Sequence, residues 1–153
     1  MDEKYMKIAL EEAKKAYDKG EVPIGAIIVR DDEIIGRGYN LRESLRDATA
    51  HAEILAIQDA CKNINSWRLT NTTLYVTIEP CAMCCGAIVQ SRIKRLVFGA
   101  SDPKGGATGS IINILDNKAF NHQVETTSGV LEVEASDIMK DFFRKIRKNK
   151  MER

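Results

Sequence analysis

Thr49-Ala50-His51-Ala52-Glu53 and Glu79-Pro80-Cys81-Ala82-Met83-Cys84 are the two stretches on which the reading of this chain turns. They read H-x-E and then P-C-x-x-C. The imidazole of His51 and the thiols of Cys81 and Cys84 supply three ligands for a zinc ion. A tetrahedral zinc with three protein ligands keeps its fourth position for water, as catalytic rather than structural sites do. Glu53 stands two residues beyond the histidine, close enough to handle that water's protons. Cys81 and Cys84, spaced i, i+3, project from one side of a helix start. A helix N-terminus favours the thiolate that zinc requires. Each motif therefore predicts a helix with ligands in its first turn, and the two helices must lie side by side for His51 to reach the sulfurs.

Outward from the motifs, strands and helices alternate. Asp2 is expected to cap a first helix, with Met6, Ala9, Leu10, Ala13, Ala16 and Tyr17 at helical spacing and Gly20 ending it. Ile24 to Arg30 and Glu33 to Tyr39 predict a hairpin turning at Asp31-Asp32. Asn40 to Ala48 is polar and predicts a loop. Thr49 or a neighbour is expected to cap the H-x-E helix, with Ile54, Leu55, Ile57 and Ala60 as its apolar side, fading at Asn63 to Asn65. Thr73 to Ile78 predicts a strand, and Pro80 suits the first turn of the next helix, which runs to about Ser91. Arg95 to Phe98 predicts a strand, Gly99 to Ser110 a glycine-rich loop, Ile111 to Leu115 a short helix and Val124 to Thr127 a last strand. Gly129 precedes a closing helix with Leu131, Ala135, Ile138, Met139, Phe142 and Ile146 on its buried side. This alternation implies an α/β fold with helices on both faces of one sheet, and right-handed parallel crossovers after the hairpin.

The 153 residues suit one domain, 1–153, and neither a repeat nor a low-complexity segment divides them. Hydrophobic residues make up 44% and charged residues 29%. No apolar run approaches the roughly 20 residues of a membrane span, so no membrane association is expected. Met1 to Lys7 is charged and lacks the apolar core of a signal peptide, so a cytoplasmic location is expected. Cysteines there are reduced, which favours metal binding over disulfides for the four present. Net charge is +1 but unevenly placed. The basic helix and tail at 140–153 holds seven basic residues against two acidic ones, so it is +5 and the remainder −4. Such a segment is either a solvated helix face or a docking surface for an anionic partner.

Other readings of the cysteines fare worse. A redox C-x-x-C leaves His51 and Glu53 unexplained. A closed structural zinc site needs a fourth ligand from Cys61, Cys85 or His122. Cys85 points about 100° away from Cys84, Cys61 occupies an apolar helix position, and His122 is expected in a loop or at the surface. With an open zinc, Glu53 can take a proton from water and return protons to a ring nitrogen and a departing amine. That chemistry is hydrolytic deamination, and it needs no organic cofactor. H-x-E followed by P-C-x-x-C is also the pattern by which zinc-dependent nucleobase deaminases are recognised.

The chain resembles the bacterial tRNA-specific adenosine deaminases, the TadA family of the zinc-dependent cytidine and deoxycytidylate deaminase superfamily. The resemblance runs through Glu21-Val22-Pro23-Ile24-Gly25-Ala26, Asn40, both zinc motifs, Ser91-Arg92-Ile93, Val97-Phe98-Gly99-Ala100, Asp102-Pro103-Lys104-Gly105-Gly106, Phe120-Asn121-His122 and Asp137 to Arg144. It implies a three-layer α/β/α cytidine-deaminase-like fold around a five-stranded mixed sheet. It implies a homodimer with one Zn²⁺ per subunit. The substrate it implies is adenosine at wobble position 34 of a tRNA anticodon stem-loop, chiefly the arginine tRNA with an A-C-G anticodon, and the product inosine. By position, Asn40 would hydrogen-bond the target nucleotide, and Val22, Ile24 and Ala52 would line the base pocket. Asp102 and Lys104 would lie on an RNA-gripping loop, and Phe142, Phe143, Arg144 and Lys148 on the helix that meets the anticodon loop. Phe142 is expected in the core, while Phe143 either joins it or reaches the RNA. Ala48 and Cys85 depart from the proline and small alanine usual in relatives. Two rivals share some features: a deaminase of a free base or nucleoside (guanine, cytosine or adenosine), which has no need of the basic helix, and a non-catalytic zinc-stabilised RNA-binding module, which has no use for Glu53.

Overall fold

Side chains alternate across the strands of the central sheet, and that alternation assigns each helix to a face. The computed structural model describes residues 1–151; Glu152 and Arg153, the end of the basic segment, lie outside the described residues. The strands are β1 (Gly25–Arg30), β2 (Glu33–Tyr39), β3 (Thr73–Ile78), β4 (Arg95–Ala100) and β5 (Glu125–Thr127), in the order β2-β1-β3-β4-β5. β1 is antiparallel to β2 and to β3, while β3, β4 and β5 run parallel, so the sheet is mixed. Ala26, Ile28, Leu74, Val76, Leu96 and Phe98 point to one face, under α3 (Ala52–Ile64) and α4 (Ala82–Gln90). Ile27, Val29, Tyr75 and Val97 point to the other, under α1 (Asp2–Asp18). α5 (Glu132–Met151) joins that second layer over Gly99, where an added Cβ would stand 3.0 Å from that of Ala135, and Ala135 and Met139 cluster with Leu10 of α1 and with Ile78 and Ala100 at the strand ends. The three-layer α/β/α arrangement matches the expected fold class.

The hairpin turns at Asp31 and Asp32, both with positive φ (51° and 61°), the twist that fits a two-residue β-turn. β2 and β3 run in the same direction because both oppose β1, so the β2-to-β3 and β3-to-β4 connections, carrying α3 and α4, each join like-directed strands.

Several local expectations are corrected. Asp2 does not cap α1; it is the first helical residue, and its carboxylate pairs with the Arg95 guanidinium at 2.7 Å and accepts from the Tyr75 hydroxyl at 2.9 Å. The polar loop after β2 contains a helical turn, α2 (Arg42–Leu45). The buried stripe of α3 is Ala52, Ala56 and Ala60, whereas Ile54 and Leu55 are half-buried on its outer side. The reason lies on the neighbouring strand. A Cβ at Gly38 would stand 2.4 Å from the Ala52 carbonyl, and one at Gly36 2.5 Å from that of Ala56. Two bare backbone positions and three alanines let α3 lie directly on β2. Pro80 precedes the N-cap residue Cys81 rather than entering the first turn. β4 continues to Ala100, and residues 111–115 form turns and a bridge from Thr108 to Asn113 in place of a helix. No helix among the described residues is long and apolar enough to cross a membrane.

Candidate active site

His51 is the N-cap residue of α3 and Cys81 that of α4, each with extended backbone angles. Their helices start beyond the ends of β2 and β3, at the edge where parallel strands present their C-termini and ligands bind in α/β sheets. Cys84 follows in the first turn of α4 and is fully buried. The His51 Nδ1 atom lies 3.6 Å from the Cys81 sulfur and 3.5 Å from the Cys84 sulfur. Zinc–nitrogen and zinc–sulfur bonds of about 2.0 and 2.3 Å at a tetrahedral angle imply ligand separations of roughly 3.5 Å. The donors are therefore spaced as ligands of one tetrahedral cation, with all three ligand atoms within 4.8 Å of one another.

The electrostatics agree with a cation site. The Cys81 thiol is drawn down to about 3, first by a hydrogen bond from Cys84 and also by His51. Cys84 is pushed up by its hydrogen bond to Cys81 and by burial, and His51 is raised by its bond to Cys81. A metal ion would take the place of these shared protons. Glu53 is 4% exposed, and burial pushes its carboxyl up to about 7.

The cluster forms the floor of a cleft of about 1040 Å³. The cleft wall includes His51, Ala52, Glu53 and Cys81 together with Val22, Ile24, Asn40, Asp102, Lys104, Phe143 and Arg144. Of the residues singled out from the sequence as ligands, proton carrier or RNA contacts, Cys84, Phe142 and Lys148 do not line this space. Asn40 is 5% exposed and tied locally: its amide donates to the Val22 carbonyl and its oxygen accepts from the Arg42 N–H. One amide hydrogen remains free to face the cleft. Asp102 turns its carboxylate onto the N–H groups of Lys104 and Gly105. Phe142 is core, edge-on to Tyr17 and to Phe143, while Phe143 is 41% exposed. Lys140, Arg144, Arg147 and Lys150 line the cleft along one face of α5; Lys148 does not. Cys85 is buried beside the Pro80 carbonyl, Cys61 packs half-buried against the core, and His122 bonds to the Ile93 carbonyl. None of the three belongs to the cluster.

A family model of MafB19-like deaminases matches residues 1–147. A tRNA-specific adenosine deaminase of Bacillus subtilis (strain 168) is 56% identical over 149 residues, covering 97% of this chain and 92% of that protein. The chain belongs to the tRNA-specific adenosine deaminase family. A solved structure from a study of A-to-I editing by tRNA:A34 deaminases at the wobble position of transfer RNA superposes with a TM-score of 0.84 at 45% identity. It covers 87% of this chain and 96% of that one. A guanine deaminase from Nitrosomonas europaea superposes at 0.76 with 24% identity, covering 92% and 83%, a likeness of fold alone.

Two cleft features escaped the sequence reading. One is which side of the basic α5 faces the cleft: Lys140, Arg147 and Lys150 belong to the basic segment read from the sequence, and helical periodicity through Phe143 and Arg144 would have assigned them to the cleft. The other is a pair of buried glutamates, Glu21 and Glu79, 1% and 4% exposed. Glu21 accepts from the N–H groups of Glu43 and Ser44 and so holds α2 beside the cleft. Burial opposes its ionisation, yet the Ser44 and Glu43 donors hold it below the ordinary glutamate range. Both residues stand within quoted motifs, but no spacing rule reveals a carboxylate whose partners are backbone amides far along the chain.

Proposed function

We propose that this protein is a hydrolytic deaminase that converts adenosine to inosine at the wobble position of a tRNA. The observation that carries the reading is the juxtaposition on one cleft floor of the His51, Cys81 and Cys84 donors with the buried Glu53, under a rim of cationic side chains. The donor set fits zinc, and zinc when bound supplies a Lewis acid that acidifies water near neutral pH. Glu53 takes a proton from the attacking water and delivers it to N1 of adenine. Oxygen joins C6, the C6–N6 bond breaks, and the amine leaves as ammonia with the water's second proton. Val22, Ile24 and Ala52 wall the base, and Asn40 donates its free amide hydrogen to the nucleotide. Lys104, Arg144 and the neighbouring cations of α5 face phosphates, and Phe143 offers a ring on which a loop base stacks. An anticodon loop is already single-stranded, so placing its base in the cleft costs little unstacking. The arginine tRNA with an A-C-G anticodon is the expected substrate. We also infer one domain, a cytoplasmic location and a homodimer. The half-buried Ile54 and Leu55 of α3 and the exposed Met83 of adjacent α4 support the last.

The test is deamination by the zinc-loaded protein of an anticodon stem-loop with adenosine at the wobble position, set against free adenosine, cytidine and guanine. Inosine from the stem-loop alone is the expected result. Turnover of a free base or nucleoside with the stem-loop untouched would move the protein to nucleotide salvage while leaving the chemistry of Glu53 in place.

A further inference from the structure

We propose that Glu79 is a positioning residue for RNA recognition: it holds the 101–110 loop in the shape that presents Asp102, Pro103 and Lys104 to the substrate. This inference rests on the tRNA reading above. One carboxylate oxygen accepts from the Asp102 N–H at 3.0 Å and from the Ser110 hydroxyl. The other accepts from the N–H groups of Thr108 at 3.0 Å and Ser110 at 3.1 Å. Both ends of the loop therefore meet on one side chain, itself fixed at the end of β3 by the Glu79 N–H donating to the Ala100 carbonyl at 2.8 Å. The loop closes against it so tightly that a Cβ at Gly106 would stand 2.2 Å from the Glu79 carboxyl carbon. The carboxylate is buried yet fully supplied with donors, the condition under which a buried charge is stable.

A loop ordered before the substrate arrives does not have to be ordered by it, so the contribution of Glu79 belongs in binding. Glutamine has the same shape, but its amide group has to face one set of these donors. The Ser110 hydroxyl can reverse and accept from it; the Asp102 N–H cannot. Glu79→Gln therefore releases the Asp102 end of the loop, where Lys104 faces the cleft.

The experiment uses zinc-loaded wild type, Glu79→Gln, Gly106→Ala and the double variant. It measures metal content, kcat and KM on the stem-loop, and exchange of the Asp102, Thr108 and Ser110 amide hydrogens. The expected result is bound metal at the wild-type level, KM raised roughly tenfold and kcat within about threefold, with faster exchange at Asp102 in Glu79→Gln. Gly106→Ala presses on the same carboxylate from the loop side, so it should also raise KM, and the double variant should fall short of the product of the two. Unchanged KM in Glu79→Gln, or a kcat that falls as far as kcat/KM with metal bound, would overturn the proposal while wild-type activity on the stem-loop sustained the tRNA reading. A wild type that leaves the stem-loop untouched would overturn both.

Discussion

The floor and the wall of the cleft each contain a buried glutamate, both 4% exposed, and the two are treated in opposite ways. On the floor, burial raises the carboxyl of Glu53 to about 7 against the lowering pull of its own backbone N–H, of His51 and of the Cys84 thiol. On the wall, burial also works against Glu79, which is less deeply enclosed, and the Ser110 hydroxyl and the N–H groups of Asp102, Thr108 and Ser110 outweigh it and hold the group below the ordinary range. Depth of burial and the supply of donors together decide the charge of a carboxyl. A carboxyl balanced near neutrality can pass a proton in either direction. One saturated with amides can only hold backbone in place.

The largest expected effect is on the floor. Cys84→Ala should lose the bound metal and all measurable turnover, which metal analysis and inosine assay would check together; full metal content would remove Cys84 from the ligand set. Glu53→Gln should lower turnover by about 10²–10⁴-fold while metal content and stem-loop affinity stay near wild type. It should not lower the unfolding free energy, because the amide replaces a carboxyl whose ionised form burial disfavours. Turnover at the wild-type rate would erase the distinction between floor and wall.

The wall should answer with the opposite sign in stability. Glu79→Gln should cost about 1–3 kcal/mol in denaturant unfolding, the value of charge-assisted bonds left imperfectly replaced. The pH dependence sharpens this. The folded pKa of Glu79 lies below the ordinary 4.5, so its contribution is fully present above that value and is lost as the pH falls through the folded pKa. The stability gap between wild type and variant should hold from pH 7 down to about 4.5 and close below it; a gap that widens in acid would contradict the assignment. The smallest effect belongs to the rim. The side chain of Arg144 is 72% exposed, so Arg144→Ala should weaken stem-loop binding only severalfold. It should lower the slope of log affinity against log salt by about 0.7 if one phosphate contact is lost.

Much of the site was legible because its chemistry is local. His51 and Glu53 are two residues apart, Cys81 and Cys84 three, and a helix start gives such pairs a common direction whatever lies around them. The strands were legible because β-branched residues cluster in β1 and β3. The errors fell where partners lie far along the chain. Asp2 has the sequence position of a cap, but Arg95 and Tyr75 stand above it and take its carboxylate. Ile54 and Leu55 have the hydropathy of a buried side, but Gly36 and Gly38 on β2 admit only the alanines of α3.

By itself, then, the sequence determined the candidate metal donors, the candidate proton carrier, the alternation of strands and helices and the basic end of the chain, each read from residues close together in its own segment. Tertiary structure alone decided that the starts of α3 and α4 bring His51 Nδ1 within 3.6 Å of both sulfurs, that the 140–150 face of α5 lines the cleft over that floor, and that the carboxyls of Glu53 and Glu79 are shifted in opposite directions. The physical reason is that a carboxyl's charge and a ligand's reach depend on which atoms surround them, and folding brings those atoms from segments dozens of residues apart.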